Sequence, residues 1–465
     1  MKFKKSSSLL GIVSALALAS MPFAALAGTP VTAQGVQPVK KALAVSTANL
    51  ENMVLLADNT SSPSAKKSHD FPAHAQIAPS AKKEPFAIKV GRGTLTINGF
   101  LSVVGFWQDQ PYGAANGVFG TFPVPVSATQ INNTGDSITG GDVRNSRLMV
   151  NFSEPLSNGW LAGGFLSSDL EGGFNGSGIV SGQQQNPRLR QMFITLSKGN
   201  TSIKIGQQVT LTAVQFPYSL AHMPEPDGFF WANGTWWYPG VTVTQTYHSG
   251  SSTVAVTGGI FQGSYAGPGS TTNYTTAGNA GFKPQIEGRV IFSGKAVGGS
   301  SWSAFIMGHY QSINLNGPFG IPAAGTPPKM SYSSDMVEAG GSFTHGPFVV
   351  KGNVQSGQGM ANNLFDYIQS GAIKFYGGWV QAGFHFQPDW AVYAGYYYNH
   401  PNATDVVAWG GHFLTGRAYI ATLAYDLGSY GLALEWMHNN QRYTAGGVES
   451  TITGNQVTLS AIYRF

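Results

Sequence analysis

Groups able to do covalent or metal chemistry are sparse in this chain. Its 465 residues hold 21 Asp and Glu, 26 Lys and Arg, 10 His and no Cys. Without Cys there is no disulfide framework, thiolate metal site or Cys nucleophile. No G-x-S-x-G, H-E-x-x-H or P-loop string occurs. The His residues lie singly: His248, His309 and His385 read as lumen or turn residues. None stands at the spacing of a metal-ligand pair, so no metal and no other cofactor is expected. A Ser/His/carboxylate set assembled in space stays open, because triads are defined by geometry rather than chain order. The run GGFNGSG at 172–178 imitates a phosphate loop, yet no helical pattern follows it and it reads as a flexible connection. The chain is accordingly read as non-enzymatic.

The elements that position its polar groups are strands. Charged residues make up 10%, against roughly 25% in an average soluble domain. There are 61 Gly, aromatics reach 12%, and mean hydropathy is −0.05, so apolar and polar residues are finely interleaved. At the N-terminus Lys2, Lys4 and Lys5 precede an apolar run from Leu9 to Leu18 and then Ala25-Leu26-Ala27, the pattern of a cleaved secretory signal over residues 1–27. No later run of about 18 apolar residues predicts a transmembrane helix. Residues 28–85, rich in Ala, Ser, Pro and paired Lys, read as a flexible periplasmic extension. Its stripe Leu50, Met53, Val54 and Ala57 suits a short helix, either transient or oligomerising. Losing the three signal lysines lowers the formal charge from +5 to +2, and the body beyond Pro85 balances 17 basic against 17 acidic residues. A neutral body excludes the phosphate-neutralising surface of a nucleic-acid-binding protein.

From Thr94 onward sixteen strand-like runs alternate with connections rich in Gly, Asn, Ser and Pro: 94–107, 142–153, 159–169, 188–197, 201–208, 240–248, 252–262, 283–293, 301–311, 332–344, 347–356, 371–385, 389–399, 416–427, 430–438 and 455–465. Long connections (108–141, 170–187, 209–239, 263–282, 312–331, 357–370, 400–415 and 439–454) take turns with short ones such as 198–200 and 345–346. That rhythm predicts an all-β fold, a transmembrane antiparallel β-barrel of about sixteen strands over 86–465, with short periplasmic turns and long outer loops. Alternation within the runs agrees, because lipid requires one apolar face while a lumen tolerates polar groups at every second position. Val457, Leu459, Ala461, Tyr463 and Phe465 share one face and Gln456, Thr458, Ser460 and Arg464 the other. Leu148, Val150 and Phe152 oppose Arg147 and Asn151, and Ile286, Val290 and Phe292 oppose Gln285, Glu287 and Arg289. Aromatics near run ends, among them Trp107, Tyr310, Trp436 and Tyr463, fit interfacial girdles.

These stretches resemble a general bacterial outer-membrane porin, trimeric and sixteen-stranded. The resemblance rests on the C-terminal strand ending in Phe465, on NSRLMVNFSEPLSNGW (145–160) and on RQMFITLSKGNTSIKIGQQ (190–208). The extension at 28–85 is similar to that of a dicarboxylate-type porin subgroup. The resemblance implies that loop 209–239 folds into the lumen and presents Glu225 and Asp227, from Pro224-Glu225-Pro226-Asp227-Gly228, to Arg147 and Arg190 on the wall. Where the family often carries further basic residues this chain has Phe100 and the series Thr242, Thr244 and Thr246. Other pore-lining candidates are Glu287, Arg289, Glu338, Lys351, Lys374, Arg417 and Glu435, of both signs.

The resulting expectation is a homotrimeric channel in a Gram-negative outer membrane, contacting lipid and passing small hydrophilic solutes and ions by diffusion. The alternatives are a substrate-specific channel, for example for dicarboxylates, and a non-conducting barrel with an enzymatic or surface-binding role.

Overall fold

The computed structural model describes residues 86–109, 137–172, 186–223, 227–228, 232, 234–263, 283–314, 331–363, 365, 369, 371–445 and 447–465. The expected signal (1–27) and extension (28–85) lie outside them. The strands are β1 (Phe86–Val90), β2 (Gly93–Gln108), β3 (Ile138–Asp142), β4 (Arg147–Pro155), β5 (Leu161–Asp169), β6 (Arg188–Lys198), β7 (Thr201–Val209), β8 (Trp237–Ser249) and β9 (Ser252–Phe261). They continue with β10 (Gln285–Lys295), β11 (Ser301–Asn314), β12 (Ser331–His345), β13 (Phe348–Gln358), β14 (Lys374–Gln387), β15 (Trp390–Pro401), β16 (Phe413–Asp426), β17 (Tyr430–Ala445) and β18 (Val448–Arg464).

Every pairing between the named strands is antiparallel, and β18 returns to β2, so the sheet closes on itself. Two strands do not add to the circumference. β3 and β4 occupy one wall position, both paired to β2, and β1 is a five-residue arm folded back on β2. The result is a sixteen-stranded barrel whose strands match the sixteen runs of the sequence. Closure leaves no strand edge to be satisfied by lipid.

Alternation sorts the two faces. In β18 Gln456, Thr458, Ser460 and Arg464 are buried while Leu459 and Ala461 face out, and outward valines, leucines and isoleucines recur on the other strands, as in Val103, Ile194, Val243, Ile260, Ile306, Val337, Val354 and Val380. Such a continuous apolar exterior is unstable in water and suited to hydrocarbon. Short turns close one end, where Gly199 and Gly346 take φ of 56° and 53°, left-handed values that a Cβ would disfavour.

Two connections differ from expectation. Residues 439–454 do not form a long loop: β17 and β18 pair as far as Ala445 and Val448, because Tyr, Thr, Val and Ile continue the alternation on both sides of Gly447, which has a φ of 83°. The connection 400–415 contains a six-residue helix, α1 (Ala403–Ala408), capped by the Asn402 side chain accepting from the Asp405 amide at 3.0 Å.

The apolar exterior makes a direct prediction. Leu459→Arg on the lipid face should cost about 2–4 kcal/mol and lower the yield of heat-modifiable folded barrel on gels, whereas Leu459→Ala should not; equal folding of both variants would contradict a lipid-facing wall.

Candidate functional site in the barrel interior

The connection from β7 to β8 runs through the interior, and its described residues are bonded to one wall strand after another. The Leu211 amide donates to the Glu287 carboxylate on β10, and the Ala213 amide donates to Glu338 Oε2 on β12 at 3.1 Å. Gln215 Nε2 donates to the carbonyls of Gly341 and Gly352 at 2.9 and 2.6 Å. Tyr218 and Gln381 of β14 bond reciprocally, backbone amide to Oε1 at 2.7 Å and Nε2 to backbone carbonyl at 3.0 Å. On the far side Asn145 Nδ2 donates to the Ala221 carbonyl at 2.6 Å. A loop has orphan backbone donors, and here wall side chains satisfy them.

Apolar contacts fill the spaces between these bonds. Val214 packs with Phe305, Met307, Met336, Met360, Phe365 and Phe375, and Leu220 with Phe100, Met149, Ala433 and Ile462. Tyr218 stacks on Tyr393 with ring centroids 4.3 Å apart. The inner face is thus less polar than alternation alone implies. A second connection, 359–373, also turns inward: Met360 and Phe365 are buried, and a Cβ on Gly234 would stand 2.6 Å from Phe365 Cδ2. Its sequence signal is a set of apolar residues, Met360, Leu364, Phe365, Ile368 and Ile373, in a stretch otherwise read as a loop.

Charges divide into two groups. On the β3–β7 wall Asp169 is fully buried and receives Arg188 (Nη2 to Oδ2, 2.7 Å) and Arg190 (Nη1 to Oδ2, 2.6 Å), and both guanidinium groups lie over the Trp237 ring, at 5.1 and 4.2 Å from its centroid. Arg144 pairs with Asp142, and Arg147 lies in register with Asp169 and over the Phe100 ring at 5.4 Å. A bulge explains why the sequence shows apolar residues on both faces around Arg190. Ser167 pairs with Gln191 but Ser168 pairs with Leu189, so Arg190 and Gln191 are both buried inward, while Met192 and Ile194 face out.

The second group ties the loop down. His222 Nδ1 lies 2.8 Å from Glu435 Oε1 of β17 and 3.1 Å from Asp227 Oδ1, with all three side chains buried. Thr422 Oγ1 donates to Glu435 Oε2 at 3.0 Å. Burial alone would depress the loop residue His222, but Asp227 and Glu435 outweigh it and raise the ring to about 10. Burial first, and then the Glu435 charge, lift Asp227 to about 7. Chain spacing gave no hint of this cluster, because its members meet only through the loop's path across the barrel.

Of the residues singled out in sequence, Arg147 and Arg190 therefore face Asp169, while Asp227 turns to His222 and Glu435. Glu225 lies outside the described residues. Glu287 also meets His309 Nδ1 at 2.8 Å, Glu338 accepts from Asn353, and Arg289 and Lys351 are buried on the inner face. Lys374 and Arg417 are corrected: both are exposed on the outward face, because Phe375, Trp379, Ala418 and Ile420 take the inward positions of their strands and pack on interior clusters. Arg417 lies over the Tyr398 ring at 5.7 Å.

No protein family and no curated protein matches this chain in sequence. Solved structures do match in shape. The outer membrane channel DcaP of Acinetobacter baumannii superposes with a TM-score of 0.58 at 14% identity, over 82% of this chain and 99% of that one. The anion-selective porin from Comamonas acidovorans does so with a TM-score of 0.50 at 16% identity, over 80% and 100%. The barrel has the porin fold. Within that porin fold the wall carboxylates Glu287, Glu338 and Glu435 all contact the interior loop.

The anchors carry the next prediction. Glu338→Ala removes the acceptor of the Ala213 amide and a partner of Asn353, at about 1–3 kcal/mol. Backbone hydrogen exchange over 211–215 should accelerate about tenfold or more; unchanged exchange would show that other contacts hold this segment.

Proposed function

We propose that this protein is an outer-membrane channel through which small hydrophilic solutes and ions diffuse passively, narrowed by loop 209–239. The observation that carries the reading is a closed barrel, apolar outside and lined with polar groups inside, with described loop residues bonded across its interior. A passive pore requires no more than a lipid-compatible exterior, an aqueous path and a constriction that rewards polar solutes. Cleavage of residues 1–27, a periplasmic role for 28–85, location in a Gram-negative outer membrane and assembly as a homotrimer belong to the same reading.

The constriction is assigned to Arg147 and Arg190 on the wall and to Glu225 and Asp227 on the loop, with Glu287, Arg289, Glu338, Lys351 and Glu435 completing the lining. Their electrostatic weights differ. Glu287, Glu338 and Glu435 are engaged by loop groups and Asp227 by His222, whereas the β3–β7 wall gathers Arg144, Arg147, Arg188, Arg190 and Lys204 around Asp142, Asp169 and Glu171. That excess of cations favours anionic solutes at this wall, and dicarboxylates fall within the class. A Ser/His/carboxylate line does stand on the inner wall, Ser334 Oγ 3.2 Å from His309 Nε2 and His309 Nδ1 2.8 Å from Glu287 Oε1, but its serine is buried against Met360 Sδ at 3.2 Å and Glu287 also accepts the Leu211 amide, which favours a packing role over the enzymatic alternative.

Current from purified trimers in a planar bilayer under a salt gradient tests the proposal. Stepwise conductance with a reversal potential on the anion side is expected. Arg147→Gln combined with Arg190→Gln should move the reversal potential toward the cation side; folded barrels that stay silent would overturn the channel reading.

A further inference from the structure

We propose that His222, Asp227 and Glu435 form a binding site for one divalent transition-metal cation of the zinc type, clasping the interior loop to β17. The inference does not depend on conduction. The donor atoms, one imidazole nitrogen and one oxygen from each carboxylate, all lie within 4.8 Å of one another. The His222 Nδ1 distances to Glu435 Oε1 and Asp227 Oδ1 are 2.8 and 3.1 Å. Zinc binds imidazole nitrogen and carboxylate oxygen at about 2.0–2.2 Å in a tetrahedron, which separates neighbouring donors by about 3.4 Å. The two imidazole–carboxylate distances thus need to open by about 0.3–0.6 Å to admit the ion.

The independent sign of a missing cation is a shortage of donors. Asp227 is completely buried, and apart from the 3.1 Å approach of Oδ1 to His222 Nδ1, whose hydrogen bond goes to Glu435, neither carboxylate oxygen has a hydrogen-bond partner among the described residues. The imidazole nitrogen facing it carries at most one proton, and Glu435 Oε1 lies closer to that nitrogen. Two buried carboxylates therefore share one N–H, and a buried carboxylate without a donor is costly. A dication with neutral imidazole offsets both charges and gives Asp227 a partner.

The surroundings suit a ligand set. Thr422 Oγ1 donates to the second oxygen of Glu435 and fixes that carboxylate's orientation, as outer-shell groups do around metals. Gly228 has φ of +75°, and Tyr397 packs against it so closely that a Cβ there would stand 2.6 Å from its Cδ1, which holds Asp227 against the wall. One nitrogen and two oxygens favour zinc-like ions over calcium or magnesium, which take oxygen-only sets. Two ligands come from the loop and one from the wall, so binding ties the loop to β17.

The test uses the full mature chain, purified in detergent without a histidine tag, stripped with chelator, exposed to zinc chloride alone and desalted. Atomic emission should give one zinc per chain. His222→Ala and the near-isosteric Glu435→Gln should each lower that content at least tenfold while still running as heat-modifiable folded barrels. Zinc should also raise the unfolding temperature of the parent and of neither variant. No zinc on folded parent protein would overturn the proposal in favour of a proton shared by the carboxylates. Zinc retained in full by both variants would overturn it as well, placing the ion on other His residues. Should Glu435→Gln fail to fold, Asp227→Asn replaces it, with the same loss expected and retention equally fatal.

Discussion

Hydrocarbon offers no partner to a backbone amide or carbonyl, and every other feature of this molecule depends on how that constraint is met. A sheet in lipid must close, and this one closes when β18 reaches β2. Closure fixes which side of each strand is inside. It thereby converts a simple two-residue alternation into an apolar exterior and an interior where Arg, Glu, Gln and Thr are tolerated.

The same rule applies again within the barrel. A loop that enters the interior leaves bulk water and brings unpaired backbone donors with it. The wall answers with side-chain acceptors at successive depths around the circumference: Glu287, Glu338 and Gln381. Carboxylates readable as pore charges are thus occupied as hydrogen-bond acceptors, and the electrostatic character of the interior is left to the arginine wall around Asp169 and Trp237. Apolar clusters around Val214 and Leu220 supply the remaining contact.

Much of the fold was legible in the sequence because a barrel is built from local repetition. Strand length, alternation and the long-short rhythm of connections are properties of neighbouring residues, so all sixteen runs correspond to strands. The inner assignments of Glu287, Arg289, Glu338 and Glu435 followed from the same parity. Parity failed where something non-local intervened. The bulge at Arg190 disturbs it within one strand, and at Lys374 and Arg417 large or small apolar neighbours claim the inward side to pack on distant elements. The His222 cluster was invisible for a related reason: two members sit on a loop whose course no local pattern encodes, and the third lies 213 residues from His222. The inward turn of Met360 and Phe365 is another case of packing between segments remote in sequence.

The seam beside β2 has a further consequence. One edge of β2 is shared by two segments from opposite ends of the described chain: β18 pairs with residues 100–108, Phe465 bonds to Gly99, and β1 continues along 93–97. Gln108 and Gln456, which touch across this seam, are 348 residues apart. Loop-closure entropy makes such a contact among the most costly to close, and closing it removes the two free edges that an open sheet would present. β1 covers the part of the β2 edge that β18 does not reach. It acts as a built-in cover for a surface that would otherwise invite pairing with another chain.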